Sequence, residues 1–294
     1  MDDNEPLREA AAMSVSNAGL VEVQQQRLAR LREISADIRV SIVSTIAGPR
    51  MGHIGGDFSV TDILVTLFFD VLRYRADDPD WQDRDRFILS KGHCSAALYS
   101  VLARAGYFSP DLLADFMAPL SPLNGHPNRR KVKGVEANTG PLGHGLPIAV
   151  GCAIAARIAK ADWRTYVVLG DGELQEGSNW EAAMFAGHRG LDNLTAIVDR
   201  NRLQQGARTE DTNALEPLAD KWRAFGWDVH EVGGHDHAAL LAAIEAPRVG
   251  RPRFLIANTT KGKGVSFIED RVEWHHKVPS SEQAVQAIQE LVAR

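Results

Sequence analysis

The segment richest in chemistry runs from Tyr166 to Gly206. An apolar run, Tyr166-Val167-Val168-Leu169, ends in Gly170-Asp171-Gly172. The two glycines let the backbone turn tightly and let a bulky ligand approach it, and Asp171 then projects from the end of a buried strand. Thirty positions further on, past a helical stretch and a second apolar run at 194–198, stands Asn201, followed by Arg202 and Leu203. A parallel sheet places the ends of two such strands side by side, so Asp171 and Asn201 are expected to converge. A carboxylate, an amide oxygen and a nearby backbone carbonyl are hard oxygen ligands. With diphosphate oxygens and a water they complete the octahedral shell that Mg²⁺ favours. A helix opening near Gly177-Ser178 adds free amides suited to phosphate. GDG alone is only a turn; the order strand, turn, helix, strand, Asn gives it chemical meaning.

Histidines supply the second theme. Of the ten in the chain, several lie in loops rich in Gly or Pro: Gly52-His53-Ile54-Gly55-Gly56, Ser90-Lys91-Gly92-His93, Gly125-His126-Pro127 and Trp274-His275-His276-Lys277. Imidazoles donate to phosphate and relay protons near neutral pH, so these loops are expected to meet at one site. His188, His230, His235 and His237 have no such context and read as structural. Cys94 and Cys152 form no CxxC pair and are followed by small or apolar residues, as expected for buried thiols rather than metal ligands.

The elements that must position these groups follow from hydrophobic spacing. Leu28, Leu31, Ile34, Ile38, Ile42 and Ile46 recur at three- and four-residue steps and predict a helix from Val23 that stops at Gly48-Pro49. A second helix is predicted over Thr61–Phe69, capped by Ser59. Strands are expected at 87–89, 166–169, 194–198 and 254–257, with a weaker one at 228–232. Continuous apolar runs suit strands covered on both faces. Helices are expected at about 94–105, 146–160, 178–188, 215–225, 237–246 and 281–293. This alternation predicts an α/β fold, a doubly wound and mostly parallel sheet with helices on both faces. Ligands in such sheets sit at the carboxyl ends of the strands. No internal repeat or low-complexity linker divides the chain, so residues 21–294 read as one domain behind a loosely held arm at 1–20.

Composition narrows the function classes. With 294 residues, 44% apolar and 24% charged, the chain is an ordinary globular one. Thirty-eight acidic against 33 basic residues give a formal charge of −5, which excludes a general footprint for nucleic acid. No run approaches the roughly 18–20 apolar residues of a membrane helix. The acidic N-terminus lacks the apolar core of a secretory signal, so a cytoplasmic location is expected.

GDG followed about thirty residues later by Asn resembles the diphosphate-binding motif of thiamine diphosphate enzymes. The fuller wording, GDGELQEGSNWEA with NLTAIVDRNRLQQG, is similar to the transketolase family, and the likeness extends from about Arg27 to the C-terminus. The resemblance implies thiamine diphosphate as cofactor, with Mg²⁺ (or Ca²⁺ or Mn²⁺ in its place) held by Asp171, Asn201 and Leu203. It places His93, Gly140, Pro141, Leu142, Gly170, Gly172, Glu173, Lys261 and His275 around the cofactor. It gives His126 the terminal hydroxyl of a donor ketose, and sets His53 and His275 beside the reacting carbons. Glu176 corresponds to an acidic residue that links active sites across a subunit interface. Three positions depart from the family pattern: Ile54 where Pro is common, His144 where Gln is common, and His276 where Gly is frequent. The last bears on whether His275 or His276 is catalytic, and register favours His275.

Activating thiamine diphosphate in this family also requires a glutamate and an aromatic platform from a second, pyrimidine-binding domain, and a full transketolase is about twice this length. The resemblance therefore implies an N-terminal, diphosphate-binding subunit that works with a separate C-terminal subunit, as an α2β2 assembly, on sugar phosphates. The expected reaction moves a two-carbon ketol unit from a ketose phosphate to an aldose phosphate; a branched or sulfonated ketose phosphate is the alternative donor. A non-catalytic scaffold would have lost the metal ligands or histidines. A phosphohydrolase would carry a nucleophile or second carboxylate cluster beside Asp171.

Overall fold

Five strands form one parallel sheet, in the order β1 (Arg86–Leu89), β2 (Thr165–Gly170), β3 (Leu194–Arg200), β7 (Arg253–Asn258) and β6 (Asp228–Gly233). A two-stranded antiparallel ribbon, β4 (Leu203–Gln204) with β5 (Ala207–Arg208), hangs beyond the end of β3. The computed structural model describes the backbone of residues 5–293 and the side chains of residues 22–293.

The helices are α1 (Glu5–Ala47), α2 (Ile54–Thr66), α3 (Ser95–Arg104), α4 (Gly145–Ala159), α5 (Gly177–His188), α6 (Thr209–Thr212), α7 (Leu218–Ala224), α8 (His237–Glu245) and α9 (Ser281–Val292). Residues 1–4 of the expected N-terminal arm lie outside the described residues, and the backbone from Glu5 forms the start of α1.

The strands alternate their side chains between two cores. On one face Leu89, Tyr166, Val168, Ile197 and Leu255 pack with Ile42 of α1, Phe58 of α2, Leu98 of α3 and Leu240 of α8. On the other face Ile88, Val167, Leu169, Val198 and Phe254 pack with Ala149 of α4, Ala183 of α5 and Trp222 of α7. Burial on both faces explains why β1, β2, β3 and β7 read as apolar runs, whereas the edge strand β6 is only partly buried and reads weaker. Among the described residues no helix is long and apolar enough to cross a membrane.

Helix α1 starts at Glu5 rather than Val23, and two further boundaries differ from expectation. Helix α2 starts at Ile54, not Thr61, because Gly55 and Gly56 are close-packed helical residues rather than loop. A Cβ on Gly55 would come within 2.8 Å of the Trp274 carbonyl, and one on Gly56 within 2.9 Å of Cys94 Sγ. Ser59 is therefore no cap; it lies inside the helix and donates to Asp199 Oδ2 at 2.5 Å. The helix expected from 215 starts at Leu218, after Pro217 in extended conformation.

Candidate active site

Strands β2 and β3 are adjacent and in parallel register, with Gly170 opposite Asp199. Asp171 and Asn201 leave the sheet from these neighbouring strands and line one cavity of about 350 Å³. The loops are tied together directly: Asp171 Oδ2 accepts the Arg202 amide at 2.5 Å, and Oδ1 accepts the Gly172 amide at 2.8 Å. Asn201 Nδ2 donates to Ser59 Oγ at 3.3 Å, which turns its Oδ1 toward the Leu203 amide at 3.1 Å. Arg202 adopts φ +63°, a conformation uncommon without glycine, and this bend carries the chain into Leu203.

The donor set suits a hard divalent cation. Asp171 is buried, and burial, then the neighbouring Asp199, pushes its carboxyl above the usual range, with Arg200 only partly opposing. Arg200 reaches Asp171 Oδ2 at 3.3 Å but is shared with Glu210 and Glu216, so the buried carboxylate is only partly balanced and a cation would offset the rest. The Leu203 carbonyl already receives a cationic donor, Lys261 Nζ at 3.1 Å.

Beneath this lies a second network that sequence reasoning left out. Lys91, next to the His93 loop, is buried and donates to Asp199 Oδ2 at 2.5 Å. Burial disfavours the Lys91 charge, but Asp199 outweighs it and holds the ammonium protonated. Thr259 donates to the other Asp199 oxygen. The signal was present: Asp199 sits inside the apolar run AIVDR, where an unpaired charge would be costly.

Glu173 faces the cavity and is buried, with its carboxylate committed to backbone. It accepts the amides of Gly143 and Gly170, each at 3.0 Å, and the Ser90 hydroxyl. It thereby pins the 140–145 loop against the ends of β1 and β2. Gly140 and Leu142 line the cavity with Gly170 and Gly172, while Pro141 is exposed. Glu176 lies exposed on the cavity rim at the start of α5.

Four of the five loop imidazoles cluster. Ring centroids of His53 and His93 are 5.1 Å apart, His53 and His275 5.7 Å, and His93 and His275 5.6 Å. His276 is exposed, 4.5 Å from the His53 ring. His275 is more sheltered, and its Nδ1 accepts from Lys261 Nζ at 2.9 Å. His126 lies on the far side, its ring against Gly140, and shares a second cavity of about 370 Å³ with His53 and His93.

Burial and crowding keep His53, His93 and His275 neutral. Burial, then His276, His126 and two lysines, holds His53 at about 4. Burial and Lys261 push His275 well down, and burial and Lys91 do the same for His93. Lys261 falls to about 8 through burial and the charge of Lys91. Near neutral pH the His53, His93 and His275 rings therefore carry no charge, beside lysines that attract anions. Of the other sequence features, His144 is exposed and Lys263 sits 3.6 Å from Glu269, away from the cavity lining. His237, among the histidines read as structural, bonds Ser35 and Thr66 inside the first core.

The family model described as transketolase, thiamine diphosphate binding domain, matches residues 31–292. The chain belongs to the transketolase family. It corresponds to the N-terminal, diphosphate-binding part of that transferase, which occurs in split enzymes as a chain of its own. It is similar to one subunit of the apulose-4-phosphate transketolase from Phocaeicola vulgatus, 46% identical over 261 residues, covering 87% of this chain and 92% of that one. The 6-deoxy-6-sulfo-D-fructose transketolase subunit SqwG from a Clostridium species is 41% identical over 256 residues, covering 86% and 93%. The solved transketolase from Leishmania mexicana superposes with a TM-score of 0.84 at 33% identity, over 89% of this chain but 41% of that one. The chain thus spans about two fifths of that single-chain transketolase and nearly all of the two relatives that are themselves subunits.

Proposed function

We propose that this chain is the diphosphate-binding subunit of a two-chain transketolase that moves a two-carbon ketol unit from a ketose phosphate to an aldose phosphate. The observation that carries this reading is the convergence of Asp171, Asn201 and the Leu203 carbonyl in one cavity with His53, His93, His275 and Lys261. When bound, thiamine diphosphate supplies an electron sink for breaking a carbon–carbon bond next to a carbonyl. Asp171, Asn201 and Leu203 would hold the divalent cation, and His93 and Lys261 would meet the diphosphate. His53 and His275 would take a proton from the donor hydroxyl. His126 would bond the donor from the second cavity.

The pyrimidine half of the site would come from a C-terminal partner subunit, in an α2β2 assembly with Glu176 near the interface. The names of the two-chain relatives, each that of a subunit, support this reading. Titration of the chain and its partner together with thiamine diphosphate and Mg²⁺ tests it; a mixture that binds no cofactor refutes it.

A second reading concerns the donor. The two-chain relatives above carry names that specify apulose-4-phosphate and 6-deoxy-6-sulfo-D-fructose. They favour a branched or sulfonated ketose over the common sugar phosphates. A donor panel assayed with one acceptor decides between them.

A further inference from the structure

The second cavity holds a buried acid that neither the motif nor the proposed mechanism uses. Asp57 lies one turn into α2 from His53, is fully buried, and lines this cavity with Ser95, Asn124 and His126. His53 and His93 border both cavities, so the second opens directly beside the reacting end of the first. One carboxyl oxygen, Oδ1, accepts the Ala97 amide in the first turn of α3 at 2.9 Å. The other, Oδ2, is buried with no hydrogen-bond partner.

The surrounding charges do not neutralise it. The nearby ammonium of Lys91 is committed to Asp199 at 2.5 Å. His53 at the N-terminal cap of α2 and His93 beyond β1 are held neutral, and the Cys94 thiol is pushed up to about 12 by burial. Burial pushes the Asp57 carboxyl up to about 7, with the Ala97 amide and Lys91 only partly opposing. An acid in such a place keeps its proton for part of the time near neutral pH, and a protonated carboxyl is a hydrogen-bond donor.

We propose that Asp57 is a specificity residue for the donor sugar: its free carboxyl edge, as the neutral acid, donates a hydrogen bond to a hydroxyl of the ketol unit lying between it and His126. The inference rests on the ketol-transfer reading above. A site built to pair a substrate hydroxyl rejects the analogue that lacks it, because the buried polar group is then left without a partner. Asp57 thus selects for the hydroxylated ketol end, whatever the rest of the sugar.

The test uses the complete two-chain assembly and compares kcat/KM for a ketose donor and its 1-deoxy analogue. The parent enzyme is expected to prefer the hydroxylated donor by about a hundredfold or more, the range for hydroxyl recognition being wide. Asp57→Val should erase at least tenfold of that preference, mainly through KM for the donor, while affinity for thiamine diphosphate with Mg²⁺ stays within about twofold. Asp57→Asn, whose amide also donates, should keep most of it. An unchanged preference in Asp57→Val, or equal losses in both variants, overturns the proposal. If Asp57→Val does not fold, infrared difference spectra decide: donor binding should shift a protonated-carboxyl band in the parent that Asp57→Asn lacks, and no such band overturns it. Failure of the parent assembly to bind cofactor would instead defeat the underlying reading.

Discussion

The Asp171 carboxylate accepts the Arg202 amide at 2.5 Å, which joins the turn after one strand to the turn after its neighbour. The two ends are thus held together by the protein itself before any cation arrives. Asp171 supplies both the joint and the charge. Asp171→Ala is expected to lower Mg²⁺-dependent affinity for thiamine diphosphate by at least about a hundredfold, the upper range for residues that only orient a ligand. Calorimetric titration of the assembled enzyme measures it; retained affinity would remove Asp171 from the cation site.

His275 and His276 separate by environment. His275 is sheltered and paired with Lys261 at 2.9 Å, whereas His276 is exposed. His275→Ala should lower kcat by about 10²–10⁴-fold, the usual worth of a positioned acid–base group. His276→Gly should leave kcat within a few-fold. Steady-state kinetics on the two variants checks the assignment, and the reverse order would overturn it.

His126 faces the second cavity and does not line the first. His126→Ala should therefore raise the donor KM at least about tenfold, consistent with loss of one hydrogen bond to a substrate, while thiamine diphosphate still binds. Release of the cofactor by this variant would show that the ring serves the other cavity.

Stability should fall on mild acidification. His53, at about 4 in the fold against 6.5 when free, binds fewer protons folded than unfolded between those values. Stability then rises with pH across that window and is lost as pH falls through it, with a slope of at most about 1.4 kcal/mol per pH unit for one histidine. Urea unfolding at pH 5, 6 and 7 should show rising midpoints, and His53→Gln should flatten the trend.

The Lys91–Asp199 pair is buried on both sides, at 2.5 Å. Asp199→Asn removes the one carboxylate that, among the described residues, bonds that ammonium, and leaves a charge without an equal partner. A loss of about 3–5 kcal/mol is expected, as for other broken buried pairs, and is read from denaturant unfolding. A loss under about 1 kcal/mol would show that water reaches Lys91.

Much of this was readable along the chain. Asp171 and Asn201 stand where apolar runs stop, and in a parallel sheet the ends of runs are where chemistry collects. Three of the four histidine loops announced themselves by their glycines, and the fourth by its paired His275-His276 after a tryptophan. What escaped was long-range pairing between ordinary residues. Ser90 and Glu173 are 83 positions apart, and nothing in either neighbourhood marks them as partners. The start of α2 was hidden because glycine signals a turn in a sequence, whereas Gly55 and Gly56 serve the close approach of Trp274 and Cys94. Nothing around Asp57 in the sequence marks it for burial, because that burial depends on α3, which arrives 40 residues later.

Because β2 and β3 are immediate neighbours, the separation of the two candidate cation ligands is set by the lateral spacing of a sheet, about 4.8 Å. Past Glu176, the remainder of the crossover at 177–193 returns the chain to the starting edge. Residues can therefore be gained or lost on the outer side of that excursion without disturbing the site, whereas a one-residue slip within either strand would turn a ligand to the opposite face. Distance along the polymer is free to drift here; parity is not.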